Sequence, residues 1–210
     1  GQSNIHFSAS TYGDDVYLTY LRDSTYQVRY VKRTYSSGTW GTDTLVQDSV
    51  TSDSAPVIGV DAGNVYCFWA GSPTANHIYY KKCISGTWDS SPTDWITESA
   101  LTSNNRLTCF FQGYGSNKIG LEYMTSTSSP YNVRFAYIPL QASITITSSP
   151  SGSGYCTVDG NAVTTPITYS WIIGDSHTIA ANSPVNTVPG QSQYVYSNWN
   201  DSGAQSHSIV

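Results

Sequence analysis

Residues 65–88 decide the fold. They read Val65-Tyr66-Cys67-Phe68-Trp69-Ala70, a short turn, His77-Ile78-Tyr79-Tyr80-Lys81-Lys82-Cys83, and then Ser85-Gly86-Thr87-Trp88. Two runs rich in aromatic and β-branched residues, joined by a short turn, are typical of a β-hairpin. The Ser-Gly-Thr-Trp turn then leads into another strand. The stretch therefore predicts a small antiparallel sheet.

This pattern occurs three times between residues 5 and 138, at intervals of about 50 residues. The second strand of each unit is the clearest copy, and the three copies are residues 16–20, 65–69 and 119–123. Two units also contain Ser-Gly-Thr-Trp, at residues 37–40 and 85–88, each followed by a fourth strand. Repeats of four short antiparallel strands are typical of propeller blades, because a single sheet must stack on neighbours to bury both faces.

The units resemble the blades of sialidase-like propellers with bacterial neuraminidase repeats, in which a strand pair precedes an Asp-box turn. Ser-Gly-Thr-Trp matches the end of that family's Ser-x-Asp-x-Gly-x-Thr-Trp box, whereas the Asp of the box is missing here. The resemblance implies propeller blades over residues 5–138 and raises glycoside hydrolysis as an activity to test. The third unit lacks the box and the fourth strand, so the blades require other sequence, another chain or a different packing of the sheets.

The pattern changes after residue 140, which predicts three blade-like repeats in residues 1–140 and a small Ig-like β-sandwich in residues 141–210. Period-two alternation with a turn every 8–12 residues is typical of such a sandwich. Asp159-Gly160 is a hairpin signal. The predicted strands are residues 144–147, 155–158, 167–171, 177–180, 194–199 and 203–209.

The second segment resembles a repeated β-sandwich module of prokaryotic, especially archaeal, secreted and cell-surface proteins. The matching features are Ser-Pro-x-Gly-x-Gly at 149–154, Val-Asp-Gly at 158–160, Thr-Pro at 165–166, Gly-x-x-His-Thr-Ile at 174–179 and Trp-x-Asp-x-Gly-Ala-x-Ser-His at 199–207. The resemblance implies a spacer or adhesive unit without catalytic residues. It also implies one more strand, so that an edge is left open or is filled by another molecule.

Composition excludes several classes of function. Only 11% of the residues are charged and the net charge is -5, so no cluster of Lys and Arg is available to neutralise nucleic-acid phosphates. No apolar run has the length of about 20 residues that crosses a bilayer, which predicts no membrane insertion. A charge-poor, Ser- and Thr-rich chain indicates an extracellular or cell-surface location.

The four cysteines include no Cys-x-x-Cys pair, and no histidine falls at a matching interval, so no zinc site is predicted. If the hairpin turn is centred near Ala75, Cys67 and Cys83 face each other across two strands. They then form either a cross-strand disulfide or two buried free thiols. Asn200-Asp201-Ser202 is a sequon for N-glycosylation.

No constellation for catalysis is evident, and no cofactor is expected. Glu122 adjoins Tyr123, as an acid would adjoin a sialidase tyrosine, but successive strand residues point to opposite faces. Arg29 and Arg134 occupy equivalent repeat positions, which indicates a structural role. Five aspartates lie at turns without the spacing of a calcium loop, namely Asp14, Asp15, Asp53, Asp61 and Asp159. His177 and His207 belong to the module motif and are expected to form structural hydrogen bonds.

The 17 Tyr and 6 Trp residues either pack between sheets or form platforms on which sugars stack. We predict a non-enzymatic extracellular or cell-surface protein with a structural or adhesive role, which acts by self-assembly, including filament formation, or by contact with other surface proteins. The alternative is a carbohydrate-binding, lectin-like module, and the third reading is a fragment of a glycoside hydrolase.

Overall fold

A computed structural model describes residues 4–52, 54–98, 107–110, 117–126, 128–188 and 192–210. Within these residues the chain is all-β, as predicted, and its antiparallel sheets do not close into a barrel. It divides into two compact units, Gly1–Ile138 and Pro139–Val210, next to the boundary predicted from the sequence.

The first sheet corresponds to the first repeat. Its strands are β1 (Asn4–Tyr12), β2 (Asp15–Arg22), β3 (Gln27–Thr34), β4 (Thr39–Trp40) and β5 (Thr44–Gln47). The first three strands form a meander, and β3 then pairs with both β4 and β5. The Thr-Trp dipeptide of Ser-Gly-Thr-Trp therefore forms a short strand of its own, which makes the sheet five-stranded rather than four-stranded.

The second sheet repeats this arrangement. Its strands are β6 (Val57–Asp61), β7 (Asn64–Ala70), β8 (His77–Ile84), β9 (Thr87–Trp88) and β10 (Thr93–Thr97). Again β8 pairs with the Thr-Trp strand and with the strand that follows it. The central strand β7 is buried on both of its faces.

The third sheet has three described strands, β11 (Leu107–Cys109), β12 (Lys118–Met124) and β13 (Val133–Pro139), in that spatial order. No fourth strand of this sheet occurs in the described part of the unit, which agrees with the sequence pattern. Phe111 and the predicted turn at Gly115 and Ser116 lie outside the described residues.

The three sheets stack face to face in the order of the chain. The side of β2 that carries Tyr17, Thr19 and Leu21 lies against the second sheet, and Thr19 Oγ1 is 3.3 Å from Cys67 Sγ. The opposite side of the second sheet meets the third sheet, because a Cβ built on Gly59 would approach Cys109 Sγ at 2.8 Å. The second sheet is therefore covered on both sides.

Cys67 and Cys83 are not cross-strand partners, and both thiols are buried and free. Cys67 pairs with Lys81, and Cys83 pairs with Val65. The predicted alternative of a disulfide is therefore wrong, and the alternative of two buried free thiols holds. The hairpin turn lies one residue earlier than the position near Ala75 that the prediction assumed, and such a shift moves each partner by two residues.

The second unit contains two facing sheets and a hairpin. The first sheet pairs β14 (Gln141–Ile146) with β17 (Ile167–Ile172). The facing sheet has the order β16-β15-β18-β21, with β15 (Ser153–Val158), β16 (Asn161–Thr164), β18 (His177–Ala181) and β21 (Ser206–Ile209). The hairpin joins β19 (Val185–Val188) and β20 (Ser192–Tyr194).

Asp159 and Gly160 form the predicted hairpin turn between β15 and β16, with φ angles of 48° and 78°. Two successive positive φ angles are those of a type I′ turn, which suits the twist of a hairpin. The predicted strand at 194–199 is wrong, because only Tyr194 of that range belongs to a strand. Strands β16 and β19 were not predicted, because each has only four residues and lies between turn-forming residues.

Candidate functional site

The structure separates the residues that glycoside hydrolysis would need. Cys109 faces the second sheet and is the cross-strand partner of Leu121, so Glu122 points away from that sheet while Tyr123 is buried against it. Arg29 contacts Asp43 at 3.0 Å and Arg134 contacts Glu98 at 3.3 Å. Arg106 lies outside the described residues. The two equivalent arginines thus serve ion pairs in different sheets and do not share a site.

Two of the aspartates that the sequence places at turns, Asp15 and Asp159, have side-chain partners. Asp15 contacts Lys32 at 2.7 Å and accepts a hydrogen bond from the Tyr35 N–H at 2.9 Å, and the Lys32 bond lowers the pKa of Asp15. Asp14 lies in the turn after β1, Asp61 is the last residue of β6, and Asp53 lies outside the described residues. In the ranges that the structure describes, no three His, Cys, Asp or Glu side chains are grouped as metal ligands.

Cys67 and Lys81 are neighbours across β7 and β8 and lie between the first two sheets. Burial raises the pKa of the Cys67 thiol to about 12, so the thiol stays protonated at neutral pH and is not a nucleophile. The Lys81 ammonium donates to the carbonyls of Val46 at 2.9 Å and Ser90 at 3.3 Å, and burial lowers its pKa. Both groups tie sheets together and present no reactive atom.

His177 and His207 each contact an aspartate of the second unit. His177 Nδ1 lies 2.8 Å from Asp159 Oδ2, and its ring stacks on Trp171. His207 Nε2 lies 2.9 Å from Asp201 Oδ2, and its ring covers Gly203 so closely that a Cβ there would overlap it. The expected hydrogen-bonded role of both histidines is therefore confirmed.

Asp201 is expected to make the stability of the second unit depend on pH. Its hydrogen bond raises the pKa of His207 above the ordinary 6.5, and the pKa of Asp201 is lowered below 3.8 by the Gly203 N–H and by His207. The stabilisation due to the raised pKa of His207 is complete below pH 6.5 and is lost as the pH rises through that raised pKa. The stabilisation due to the lowered pKa of Asp201 is complete above pH 3.8 and is lost as the pH falls through that lowered pKa. The pair therefore stabilises the fold most between these values.

The Asp201→Asn substitution is expected to lower the pKa of His207 towards 6.5, as measured by an NMR titration of the ring protons. Asp175→Asn is the matched control, because Asp175 is also exposed but is not a partner of His207. An unchanged His207 titration in Asp201→Asn would contradict the prediction.

The most unusual surface is the side of the first sheet that faces away from the second sheet, which we call the first outer face. Cross-strand pairing places Phe7 beside Tyr20, and Leu18 between Ala9 and Val31. Phe7 is 74% exposed, Trp40 51% and Leu45 43%, although all three are large apolar residues. The apolar residues of the first outer face are Phe7, Ala9, Val16, Leu18, Tyr20, Val31, Trp40 and Leu45.

The first outer face carries one cluster of paired charges. Arg22 and Arg29 both contact Asp43, which precedes β5. Burial opposes ionisation of Asp43, but its bond with Arg29 and the other nearby groups lower its pKa overall. The cluster is therefore charged and internally paired. A further charged residue of this face is Arg33, which lies opposite Val16 on one side and Trp40 on the other.

The third sheet also has an apolar side that faces away from the second sheet, which we call the third outer face. Val133 is 62% exposed and Tyr137 is 47% exposed, and Lys118 Nζ lies 5.2 Å from the centre of the Tyr137 ring. Phe110 and Phe135 pack edge to face over Gly120. The third outer face consists of Phe110, Lys118, Gly120, Glu122, Val133, Phe135 and Tyr137.

Sequence reasoning did not identify either outer face, but a signal was present. The strand Val16-Tyr17-Leu18-Thr19-Tyr20-Leu21 has apolar residues at both odd and even positions. Such a strand is typical of a sheet buried on both faces, whereas alternation is typical of a sheet with one face in water. The sequence pattern thus predicts a packed neighbour on both faces of the first sheet, whereas the structure shows one on a single face only.

Asn200 of the sequon is exposed on the loop between β20 and β21, and its glycosylation stays a prediction. In the described ranges, no helix has the length and apolarity to cross a membrane. The sequence matches no protein-family model, and no curated protein sequence aligns with it significantly.

Proposed function

We propose that this chain is a non-enzymatic, extracellular or cell-surface protein with a structural or adhesive role, which acts by stacking its sheets on those of another copy. The single observation that carries the proposal is the uncovered first outer face. The extracellular part of the proposal rests on the charge-poor composition and on the module resemblance of residues 141–210. It draws no support from disulfides, because the described thiols are free.

Equivalent strands of the repeat show what covers such a face. In the second sheet, β7 has a neighbouring sheet on either side, and Phe68 and Trp69 are both 0% exposed. In the first sheet, the equivalent strand β2 buries Tyr17, Thr19 and Leu21, while Val16, Leu18 and Tyr20 stay partly exposed. The difference arises from the missing neighbour and not from the strand itself. A further sheet of the same kind is the natural cover.

The stacking follows one rule within the chain. The side of each sheet that carries Tyr17, or its equivalent Tyr66, lies against the side of the next sheet that carries Val65, or its equivalent Ile119. The first outer face is equivalent to the Val65 side, and the third outer face is equivalent to the Tyr66 side. By the same rule, the first outer face of one copy is the partner of the third outer face of another copy.

A contact between two different faces is heterologous, so it produces either a closed ring or an open chain of copies. Two copies with three sheets each would provide six sheets, which lies within the four to eight blades of known propellers. If the angle between the sheets does not close the ring, the same contact extends into a filament. Both outcomes suit a structural protein at a cell surface.

The test is the solution mass of the chain by size exclusion with light scattering over a range of concentrations. Wild type is expected to form dimers or larger species. Leu18 is equivalent to Cys67. The partner of Cys67 is Thr19, which is equivalent to Glu122. By the stacking rule, Leu18→Glu therefore buries a second carboxylate against Glu122 of the other copy, and this variant is expected to remain monomeric. Thr25→Glu is the matched control, because Thr25 lies exposed in the turn between β2 and β3. It is expected to assemble like wild type.

Mixing two variants distinguishes the proposed contact from other kinds of association. Val133→Arg blocks the third outer face as Leu18→Glu blocks the first, so each variant alone is expected to be monomeric. In a mixture, the intact first face of one variant meets the intact third face of the other, and a dimer is expected to form. If two first outer faces paired symmetrically instead, mixing the two variants would produce no new dimer. That result would contradict the stacking rule.

A wild-type chain that stays monomeric at every concentration would overturn the proposal. Exposed rings such as Tyr35 at 64% and Trp40 at 51% would then favour the carbohydrate-binding alternative, because an exposed ring face can stack on sugar C–H groups. Binding of a glycan by the monomer, abolished by Trp40→Ala, would support that alternative.

A further inference from the structure

The two facing sheets of the second unit are unequal in width. The sheet of β15, β16, β18 and β21 has four strands, whereas the sheet that faces it has only β14 and β17. The inner side of the wider sheet is apolar, with Cys156, Val158, Val163 and Ile179 buried and Ile209 partly buried. The narrower sheet therefore leaves part of this apolar side without a strand above it.

Strand β14 has an open edge beside this uncovered part. The Ile173 N–H donates to the Leu140 carbonyl, so the hydrogen-bonded pairs with β17 fall at alternate residues from 140 onward. The N–H and C=O groups of Ser143 and Thr145 consequently point away from β17. Within the described residues, no strand pairs with that edge.

A cleft of about 760 Å³ runs along this edge. One wall is the continuous segment 143–150, which includes most of β14, and the opposite wall is the segment 194–201. Cys156, Ile179 and Ile209 contribute to its apolar floor. A cleft that follows a strand edge over this length has the shape of an extended chain.

The opposite wall is held in place by its own hydrogen bonds. The Tyr196 hydroxyl donates to the Gly203 carbonyl at 3.0 Å and accepts from the Trp199 N–H at 3.1 Å. The Trp199 indole N–H donates to the Gln205 carbonyl at 3.2 Å, and its ring packs on the core of the unit. The wall is thus preformed, so a ligand would enter the cleft without the cost of ordering it.

We infer that this cleft binds an extended peptide segment of another protein, which adds a strand to the open edge of β14. Main-chain groups of the segment would pair with those of Ser143 and Thr145 and supply most of the affinity. Every second side chain of the peptide would enter the cleft above Cys156 and Ile179, so the side chains at these peptide positions are apolar or aromatic. The side chains at the intervening peptide positions are polar. The site lies wholly within the second unit and does not depend on the outer faces of the first.

A fluorescently labelled synthetic peptide that alternates valine with threonine over about six residues, the usual length of a strand, is the probe. Its anisotropy is measured against the full chain carrying Leu18→Glu, which separates peptide binding from assembly through the first unit. Ser143→Pro removes the outward N–H without touching the ladder to β17, and is expected to weaken binding about tenfold or more. Ser143→Ala keeps the N–H and is expected to bind like the parent.

Hydrogen exchange on the unsubstituted chain tests the same site without a proline. Added peptide is expected to slow exchange at the amides of Ser143 and Thr145, which point into the cleft, and to leave those of β17 unchanged. The inference would be overturned if the anisotropy did not change up to about 1 mM peptide, because a Kd above this concentration is too weak for specific recognition. Equal affinities for Ser143→Pro and Ser143→Ala, or protection elsewhere only, would also overturn it.

Discussion

Trp69→Ala is expected to destabilise the first unit by about 4 kcal/mol, whereas Tyr20→Ala, at the equivalent position of the first repeat, costs only about 1 kcal/mol. Trp69 is 0% exposed and packs with Leu21, Val28 and Tyr79 between the first two sheets. Its indole N–H donates to the Ser72 carbonyl at 2.8 Å, and that acceptor would lose its partner. Tyr20 lies on the first outer face and has no sheet above it.

Urea unfolding followed by pulse-labelling hydrogen exchange is the appropriate measurement, because a global signal would mix the two units of the chain. Protein concentrations are kept low enough for the monomer to dominate. Similar costs for Trp69→Ala and Tyr20→Ala would show that the first outer face is covered within the monomer, and the stacking proposal would lose its basis. A Tyr20→Ala cost that grows with protein concentration would support assembly, since self-association stabilises only the folded chain.

The strands of the repeat could be predicted because their residues specify them locally. The apolar and aromatic run 65–70 forms β7, and its equivalent at 16–20 lies within β2. The same local signals could not distinguish the first sheet from the second. Trp69 and Tyr20 occupy equivalent positions in similar strands, and only the number of neighbouring sheets makes one buried and the other partly exposed.

Register was harder to predict than the strands themselves. The prediction that Cys67 faces Cys83 required the turn position to be correct within one residue, and the turn at 71–76 offers several small residues at which the chain can reverse. In the observed register Cys67 lies opposite Lys81. Lys81 is held by the Val46 carbonyl of the neighbouring sheet, and this long-range contact has no signature in the local sequence.

The cleft of the second unit depends on a segment whose sequence resembles a strand. Tyr194-Val195-Tyr196 has high β propensity, but the chain leaves the strand after Tyr194. The Tyr196 N–H instead donates to Ser183 Oγ at 2.8 Å, and the Tyr196 hydroxyl serves the turn before β21. Side-chain hydrogen bonds thus replace a β ladder, and the wall of the cleft forms where the sequence predicts a strand.

Gly59→Val is expected to cost about 3 kcal/mol, by forcing the second and third sheets apart. A Cβ on Gly59 would lie 2.8 Å from Cys109 Sγ and 2.9 Å from Ile119 Cγ2, which is closer than carbon atoms pack. Valine has the higher β propensity, but that gain is at most about 1 kcal/mol and is smaller than the overpacking cost. The balance therefore remains destabilising.

A double-mutant cycle with Ile119→Ala locates the effect at the contact between these two sheets. Ile119 is 0% exposed, so Ile119→Ala alone leaves a cavity and costs about 2–5 kcal/mol. In the double variant the valine at position 59 occupies part of that cavity. The double variant is therefore expected to lose less stability than the sum of the losses in the two single variants. Strict additivity in urea unfolding would mean that Gly59 and Ile119 do not meet. The stacking rule, which pairs the Ile119 side of one sheet with the Tyr66 side of the sheet before it, would then fail within the chain and could not be extended to a second copy.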